Sequence, residues 1–295
     1  MTASHVCGAE ENLCGVPHCS DASGFAVVRL KTTAAQSCRY PRPVDLRGAV
    51  IVVTGASRGI GRASAELLGA RGTTVVCVGR DASALQELAS RLGGTAVVAD
   101  LGDQASPARV VQQTLAAHGR LDAVVINAGV GHAGPVVEMA PGRIAELVDV
   151  NVRGALLLAA ASGKAIGTQG NGHGAIVFVS SIAAAVGIPE ESVYSATKAA
   201  LESFAPLLRE ELGADGITVS TVLPGVVDTD FFVHRGRPYQ RRFPRPMPPE
   251  RVAAAVARAL QNGTPRQVVP RWLNLPARLA ATAPRLYRSV ARHLS

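Results

Sequence analysis

Short apolar runs alternate along most of the chain with longer segments of mixed polarity. The runs are rich in Val and Ile and almost uninterrupted by polar residues, which is typical of strands buried on both faces of a sheet. They cover residues 49–54, 74–78, 96–99, 123–126, 175–179 and 218–223. The segments between them are long enough for several helical turns and cover residues 62–71, 82–92, 104–118, 143–161 and 193–212. Strand and helix therefore alternate as regular units.

This alternation predicts an α/β fold with a doubly wound parallel sheet, because each pair of parallel strands needs a right-handed helical crossover. Ligands of such folds bind beyond the carboxyl ends of the strands. We expect a single domain at residues 48–270, between an N-terminal extension, 1–47, and a C-terminal tail, 271–295. The Arg- and Pro-rich stretch 231–249 is predicted to be a lid over the ligand edge of the sheet.

The composition is that of a globular protein, with 47% hydrophobic residues in a chain of 295. Residues 1–47 show no helical or strand period, so we expect this extension to be poorly ordered. It holds four of the five cysteines but no C-x2-C pair of the kind found in structural zinc sites, and no metal site is predicted. Apolar segments of about 18 residues and a signal peptide are both missing, which predicts a soluble, cytoplasmic protein.

The first apolar run leads directly into a glycine-rich turn that opens the first helix. Its glycines allow a tight turn and a close approach of the backbone to a pyrophosphate, while the helix N-terminus supplies N–H donors. In this position between strand and helix, the pattern is a strong indication of dinucleotide binding. The predicted phosphate-binding residues are Gly55, Ser57, Arg58, Gly59, Ile60 and Gly61.

The sequence T-G-A-S-R-G-I-G, with its G-x-x-x-G-x-G spacing, resembles the cofactor loop of the short-chain dehydrogenase/reductase family. The order of motifs over residues 49–269 also follows that family, and the resemblance implies a Rossmann fold. It further implies adenine contacts from Asp100 and Leu101, support of the cofactor by Asn127, Ala128 and Gly129, and nicotinamide contacts from the segment containing Pro224, Gly225, Val227 and Thr229.

The residues at the end of the second strand bear on the choice between NADP and NAD. An acidic residue there would accept hydrogen bonds from a ribose diol, but this chain has Arg80, with Arg58 in the glycine turn. Guanidinium groups pair well with a 2′-phosphate, so NADP is the predicted cofactor. Asp81 could instead face the diol, and NAD remains the alternative.

A Tyr–Lys pair lies on the last long helical segment. Tyr194 and Lys198 are four residues apart and therefore share one helix face. A tyrosine with its ordinary pKa of about 10 is a poor base at neutral pH, and a nearby cation favours the phenolate. Because the chain has only three lysines against 27 arginines, a lysine at this position suggests a need for a compact ammonium group.

By resemblance to the family, Tyr194 and Lys198 are catalytic, Ser181 hydrogen-bonds the substrate oxygen, and Asn151 holds a water in a proton relay. Ser180 is the less favoured serine, because strand alternation turns it to the opposite face. The implied reaction is hydride transfer between NADP(H) and the carbonyl or secondary alcohol carbon of a ketone, aldehyde or alcohol, with an apolar substrate expected from the lid composition. The alternative is a non-catalytic dinucleotide-sensing or membrane-surface adaptor protein. The family also suggests a homodimer or homotetramer.

The net charge of +8 is concentrated at one end of the chain. Residues 231–295 hold thirteen arginines and one acid, giving +12 and leaving −4 for the first 230 residues. In the tail, arginines recur every seven residues from Arg271 to Arg292, and Pro276 and Pro284 predict two or three short amphipathic helices. Such a tail could pack on the domain, cover a substrate opening, join a subunit interface or lie on an anionic membrane. Nucleic acid is not a predicted partner, because only 4% of the residues are aromatic.

Overall fold

Seven parallel strands form one sheet in the order β3-β2-β1-β4-β5-β6-β7. The structure is a computed structural model that describes residues 44–240 and 243–293. The strands are β1 (Val50–Thr54), β2 (Thr74–Gly79), β3 (Thr95–Val98), β4 (Ala123–Ile126), β5 (Gly174–Val179), β6 (Ile217–Pro224) and β7 (Arg266–Val269). The order reverses between β1 and β4, which is where a doubly wound sheet opens a crevice for ligands. The predicted Rossmann fold is thereby confirmed.

Helices cover both faces of the sheet. They are α1 (Gly59–Gly69), α2 (Ala82–Leu92), α3 (Ser106–His118), α4 (Pro141–Val148), α5 (Ala155–Thr168), α6 (Ala183–Val186), α7 (Ser192–Leu212), α8 (Phe231–His234), α9 (Pro249–Asn262), α10 (Asn274–Thr282) and α11 (Pro284–His293). Alternate residues of β1 point to opposite faces: Ile51 and Val53 join the core under α1, α2 and α9, whereas Val50 and Val52 join the core under α3, α5 and α7. Both faces of the sheet are therefore covered by helices and shielded from water, as the continuous apolar strands require.

The segment predicted as one helix over residues 143–161 is divided. Helix α4 is followed by a π-helical turn, Asp149–Gly154, before α5 begins. The turn buries the side chain of Asn151, and Gly154 lies so close to β3 that an added Cβ would stand 2.2 Å from the carbonyl oxygen of Leu101. The wider turn thus points a polar residue inward without ending the helix, and π-turns are often found at functional sites.

Most of the predicted N-terminal extension, residues 1–43 with Cys7, Cys14, Cys19 and Cys38, lies outside the described residues. Its last residues pack on the domain, since Val44 and Leu46 are buried and the Val44 amide donates to the carbonyl of Leu260 at 3.2 Å. The ordered domain therefore begins before residue 48, because these side chains complete the core beneath α9.

The C-terminal tail forms a 3₁₀ turn, Arg271–Leu273, followed by α10 and α11. Pro276 lies in the first turn of α10, where a missing N–H interrupts nothing, and Pro284 begins α11. The short helices predicted for the tail are confirmed. In the part of the chain that the structure describes, no helix combines the length and the apolar character needed to cross a bilayer.

Candidate active site

A cleft of about 2160 Å³ opens at the carboxyl edge of the sheet. It exceeds the roughly 300–1000 Å³ of ordinary small-molecule pockets, so it has room for a dinucleotide and a second ligand. The glycine turn, the ends of β4, β5 and β6, helix α7, the lid and the tail all line it. Of the residues predicted for the site, all except Gly61 and Asn151 line this cleft.

The glycine turn has the geometry that an anion-binding loop needs. Gly55 and Gly59 adopt positive φ angles of +66° and +53°, which side-chain-bearing residues rarely tolerate. A Cβ on Gly61 would stand 2.1 Å from the carbonyl oxygen of Gly55, so only glycine allows the first turn of α1 to approach β1. The residue preceding α1, Arg58, forms no side-chain cap, which leaves the first N–H groups of the helix available to a ligand.

Thr54 holds the glycine turn against the end of β4. Its hydroxyl accepts hydrogen bonds from the amides of Asn127, at 2.9 Å, and Ala128, at 3.0 Å. The Asn127 side chain in turn donates to the Thr54 carbonyl at 2.9 Å. Asn127 therefore joins the ends of β1 and β4, the two neighbouring strands at which the strand order of the sheet reverses. The sequence analysis overlooked Thr54, although its place directly before Gly55 could have indicated this role.

Two exposed arginines stand at the corner where β2 ends. Arg80 Nη1 lies 3.8 Å from Asp100 Oδ2, and Arg58 Nη1 lies 2.7 Å from Nε2 of His234 on the lid helix α8. Asp81 is occupied elsewhere, because its carboxylate caps α2 by accepting from the Ala84 amide at 3.1 Å and the Ser83 hydroxyl at 2.8 Å. Both hydrogen bonds lower the pKa of the Asp81 carboxyl group, and the bond from the Ala84 amide has the larger effect.

The segment after β6 lies against the glycine turn. The Gly225 amide donates to the Val269 carbonyl at 2.7 Å, and Val227 forms a bridge with Met247. The Thr229 methyl group would stand 3.0 Å from a Cβ added to Gly59. The residues predicted to contact nicotinamide are therefore adjacent to those predicted to hold the pyrophosphate.

The four predicted catalytic residues converge behind and within the cleft. Tyr194 is buried and shares a hydrogen bond with the hydroxyl of Ser181, which follows β5. Lys198 Nζ donates to the Val179 carbonyl at 3.0 Å and lies 5.9 Å from the centre of the Tyr194 ring. Asn151 does not line the cleft itself. Its side-chain amide forms two hydrogen bonds of 2.8 Å with the backbone of Val130, which does line the cleft.

Gly129 brings the buried pair of Asn151 and Lys198 into one place. A Cβ on Gly129 would stand 3.1 Å from Asn151 Oδ1 and 3.3 Å from Lys198 Nζ. Ser180 faces away from the cleft, as strand alternation predicts, and its hydroxyl donates to the Lys198 carbonyl at 3.2 Å. The π-turn, the end of β4 and helix α7 thus meet at the ammonium group.

The electrostatics around Tyr194 differ from the sequence-based expectation. Burial raises the pKa of Tyr194 above its ordinary value, the Ser181 hydrogen bond lowers it, Glu191 raises it and Arg235 lowers it. Burial also lowers the pKa of Lys198 to about 8. Arg235 is therefore a cation that favours the Tyr194 phenolate and that the sequence analysis did not predict.

Arg235 and Glu191 form a buried ion pair that the sequence analysis did not find. Glu191 directly precedes α7, and Arg235 directly follows α8, so the pair joins the lid to the helix that carries Tyr194. Arg237 and Glu190 form a second, exposed pair between the same two segments. The segment 231–249 is therefore held to the start of α7 by two ion pairs, one buried and one exposed.

Replacement of Arg235 by Ala is expected to raise the pKa of Tyr194 further, since it removes a cation that lowers this pKa and keeps the Glu191 carboxylate that raises it. In any reaction that uses the Tyr194 phenolate as its base, the pH–rate profile should therefore move to higher pH. Breaking this buried ion pair should also lower the free energy of unfolding by about 3–5 kcal/mol. The measurements are kcat/KM against pH and chemical denaturation.

Arg237→Ala is the matched control for Arg235→Ala. It breaks the exposed pair in the same lid, and an exposed pair contributes less than about 1 kcal/mol. The pH profile of the control should stay in place. An equal displacement of the profile in both variants would contradict a specific effect of Arg235 on Tyr194.

A doubly wound sheet with a glycine turn at its switch point defines a Rossmann-fold dinucleotide-binding protein. The sequence pattern of short chain dehydrogenases matches residues 49–239, and the chain belongs to this family. It is 33% identical over 198 residues to mouse dehydrogenase/reductase SDR family member 7B, a match that covers 64% of this chain and 61% of that relative. The chain thus spans about three fifths of that relative's length.

Solved structures of the family resemble the described fold. A 3-ketoacyl-(acyl-carrier-protein) reductase from Brucella melitensis, complexed with NADH, is 28% identical with a TM-score of 0.71, covering 77% of this chain and 99% of that one. A short-chain dehydrogenase from Sphingobium yanoikuyae, in complex with NADPH, is 30% identical with a TM-score of 0.70, covering 79% and 94%. Both NADH and NADPH therefore occur among the related structures.

Proposed function

We propose that the protein is an NADP-dependent oxidoreductase that transfers hydride between NADP(H) and the carbonyl or secondary alcohol carbon of an apolar substrate. The observation that carries the proposal is the convergence of Tyr194, Ser181 and Lys198 on the cleft that the glycine turn enters. Oxidoreduction at a carbon–oxygen bond needs one placed proton donor and a positioned hydride, and this arrangement supplies the donor.

Tyr194 acts as the acid in the reductive direction. Its buried phenol stays protonated at neutral pH because burial raises its pKa, so it can give its proton to a carbonyl oxygen. Ser181, already hydrogen-bonded to Tyr194, orients that oxygen. Lys198 would hold the ribose of the nicotinamide nucleotide, and Asn151 fixes the backbone of Val130. When bound, NADPH supplies the hydride.

The contacts at the end of β2 support NADP over NAD. Arg58 and Arg80 are both exposed at the cleft and can pair with a 2′-phosphate. Asp81, the residue that would favour a ribose diol, already caps α2 through Ala84 and Ser83. Both hydrogen bonds use Oδ1 of Asp81 and hold its carboxylate at the start of α2, which supports NADP over NAD.

The double variant Arg58→Ala/Arg80→Ala is expected to raise the KM for NADPH by about 100-fold or more, because it removes two charge-assisted hydrogen bonds of about 1.5 kcal/mol or more each. The KM for NADH should change little, since NADH has no 2′-phosphate. The assay is oxidation of either cofactor by wild type and variant with a panel of apolar ketones and aldehydes.

Arg62→Ala is the control, because Arg62 lies in the first turn of α1, which begins directly after Arg58, but pairs with Glu66 and Glu87 outside the cleft. Equal losses with both cofactors would contradict the NADP assignment. If the wild type bound NADPH but oxidised it with no carbonyl compound, the catalytic proposal would fail in favour of a dinucleotide-sensing protein.

The aromatic residues of the lid support an apolar substrate. Phe231 lies 5.3 Å from the Tyr194 ring and 5.8 Å from Phe232, centre to centre, so an apolar wall begins at the proton donor. We also propose a cytoplasmic homodimer or homotetramer. Its interface would cover Leu157 on α5 and Leu207 on α7, which are exposed on the outer helix layer.

A further inference from the structure

The tail builds the outer wall of the cleft. Leu273 and Ala277 anchor α10 by packing on Leu223 and Val268 at the edge of the sheet. Helix α11 folds back beside α10, and Tyr287 and Val290 from α11 line the cleft opposite the glycine turn. The mouth of the cleft is therefore formed in part by an amphipathic helix at the surface of the molecule.

Large apolar side chains remain exposed around this mouth. The rings of Phe243 and Trp272 stack with centres 5.4 Å apart, and both line the cleft. Leu286 lies one helical turn from Val290, on the same face of α11. The exposed fractions are 68% for Phe243, 47% for Trp272, 56% for Leu286 and 44% for Val290. We call these four residues the apolar rim.

The tail, which carries three of the four residues of the apolar rim, is strongly basic. Residues 251–295 contain eight arginines and no acid. Arg271 directly precedes Trp272, and Arg285 directly precedes Leu286. These two arginines and Arg278 are exposed, and none of the three forms an ion pair within residues 44–240 and 243–293. A surface with apolar side chains and unneutralised cations complements lipid acyl chains below anionic headgroups.

We propose that the apolar rim and these arginines dock the protein on an anionic lipid bilayer, with the cleft opening onto the membrane. A second copy of the chain would bring the same cations together, which like-charge repulsion disfavours. A nucleic acid would neutralise the arginines but leave the apolar rim uncovered. An anionic bilayer satisfies both features, and it is also where an apolar carbonyl compound would be concentrated.

The experiment uses the full chain and vesicles of equimolar phosphatidylcholine and phosphatidylserine. Trp272 is the only tryptophan of the chain, so its fluorescence reports directly on the rim. We expect binding with a blue-shifted emission, quenching by phosphatidylcholine brominated on its acyl chains, and weakening by added NaCl. Vesicle binding does not require turnover, so failure here is distinguishable from failure of the proposed oxidoreductase.

Arg278→Glu/Arg285→Glu is expected to bind these vesicles at least about 30-fold more weakly, because each arginine near an anionic surface contributes a factor of about five. The matched control is Arg47→Glu/Arg71→Glu, which makes the same charge change before β1 and β2, at the opposite edge of the sheet. The control should lose much less affinity.

Three binding results and one result on the oligomeric state would overturn the proposal. The binding results are equal loss of binding in both double variants, binding without acyl-chain quenching of Trp272, and tighter binding to an RNA or DNA oligonucleotide than to the vesicles at the same salt. A tail variant that changed only the oligomeric state, measured by light scattering, would also overturn it. That outcome would assign the rim to a second copy of the chain.

Discussion

Replacement of Tyr194 by Phe is expected to lower kcat by about 10²–10⁴-fold, the usual contribution of a positioned proton donor. The variant removes one oxygen atom and keeps the ring, which packs 5.3 Å from Phe231. The fold and the glycine turn are untouched, so the dissociation constant for NADPH should stay unchanged. The measurements are steady-state turnover of an apolar ketone and NADPH binding by fluorescence titration.

Tyr239→Phe is the matched control for this variant, because it makes the same chemical change in the lid. The Tyr239 hydroxyl donates to the Pro244 carbonyl at 2.8 Å, a neutral hydrogen bond of about 1 kcal/mol. Its loss should cost no more than about fivefold. Full activity of Tyr194→Phe, or equal losses in the two variants, would refute the assignment of Tyr194 as acid.

Replacement of Gly61 by Ala is expected to destabilise the protein and to impair cofactor binding together. The new methyl group would meet the Gly55 carbonyl at 2.1 Å and the Asn127 amide at 2.7 Å, so α1 must move away from β1. Overpacking of this kind costs about 1–3 kcal/mol in the free energy of unfolding. A displaced turn should also raise the KM for NADPH by about tenfold or more.

Gly142→Ala is the control for Gly61→Ala, because a Cβ on Gly142 meets nothing within 4 Å. Gly142 lies in the first turn of α4, where Ala favours the helix. The control should be as stable as the wild type, or more so, and should keep its KM. Both variants are measured by chemical denaturation and by cofactor kinetics. If Gly61→Ala left the free energy of unfolding and the KM for NADPH unchanged, the turn would not need this close approach.

The features that local sequence determines were predictable. Strand β4 occupies the predicted residues 123–126, because a run of four apolar residues is long enough for a buried strand but too short for a buried helix. Helix α2 likewise covers the predicted residues 82–92, since Asp81 caps its start and Gly93, with φ of +64°, ends it. The Tyr194–Lys198 face follows from helical spacing alone.

The features that depend on distant contacts were not predictable in the same way. Glu191 and Arg235 are 44 residues apart, and nothing in the arginine-rich lid distinguishes the buried Arg235 from its exposed neighbours. The direction of the Lys198 ammonium depends on the Val179 carbonyl, which only the folded sheet places beside it. Likewise, the π-turn widens where tertiary packing buries Asn151, whereas a 3.6-residue period predicts an unbroken helix.

The cap that Asp81 forms on α2 sets a limit for protein engineers who would convert this chain to the other coenzyme. Turning the Asp81 carboxylate outwards would leave the Ala84 amide without its acceptor, and losing such a cap costs about 0.5–2 kcal/mol. A redesign that keeps Asp81 and introduces a new carboxylate at Arg80 would avoid that loss. Coenzyme choice and the stability of a neighbouring helix are thus coupled through one side chain.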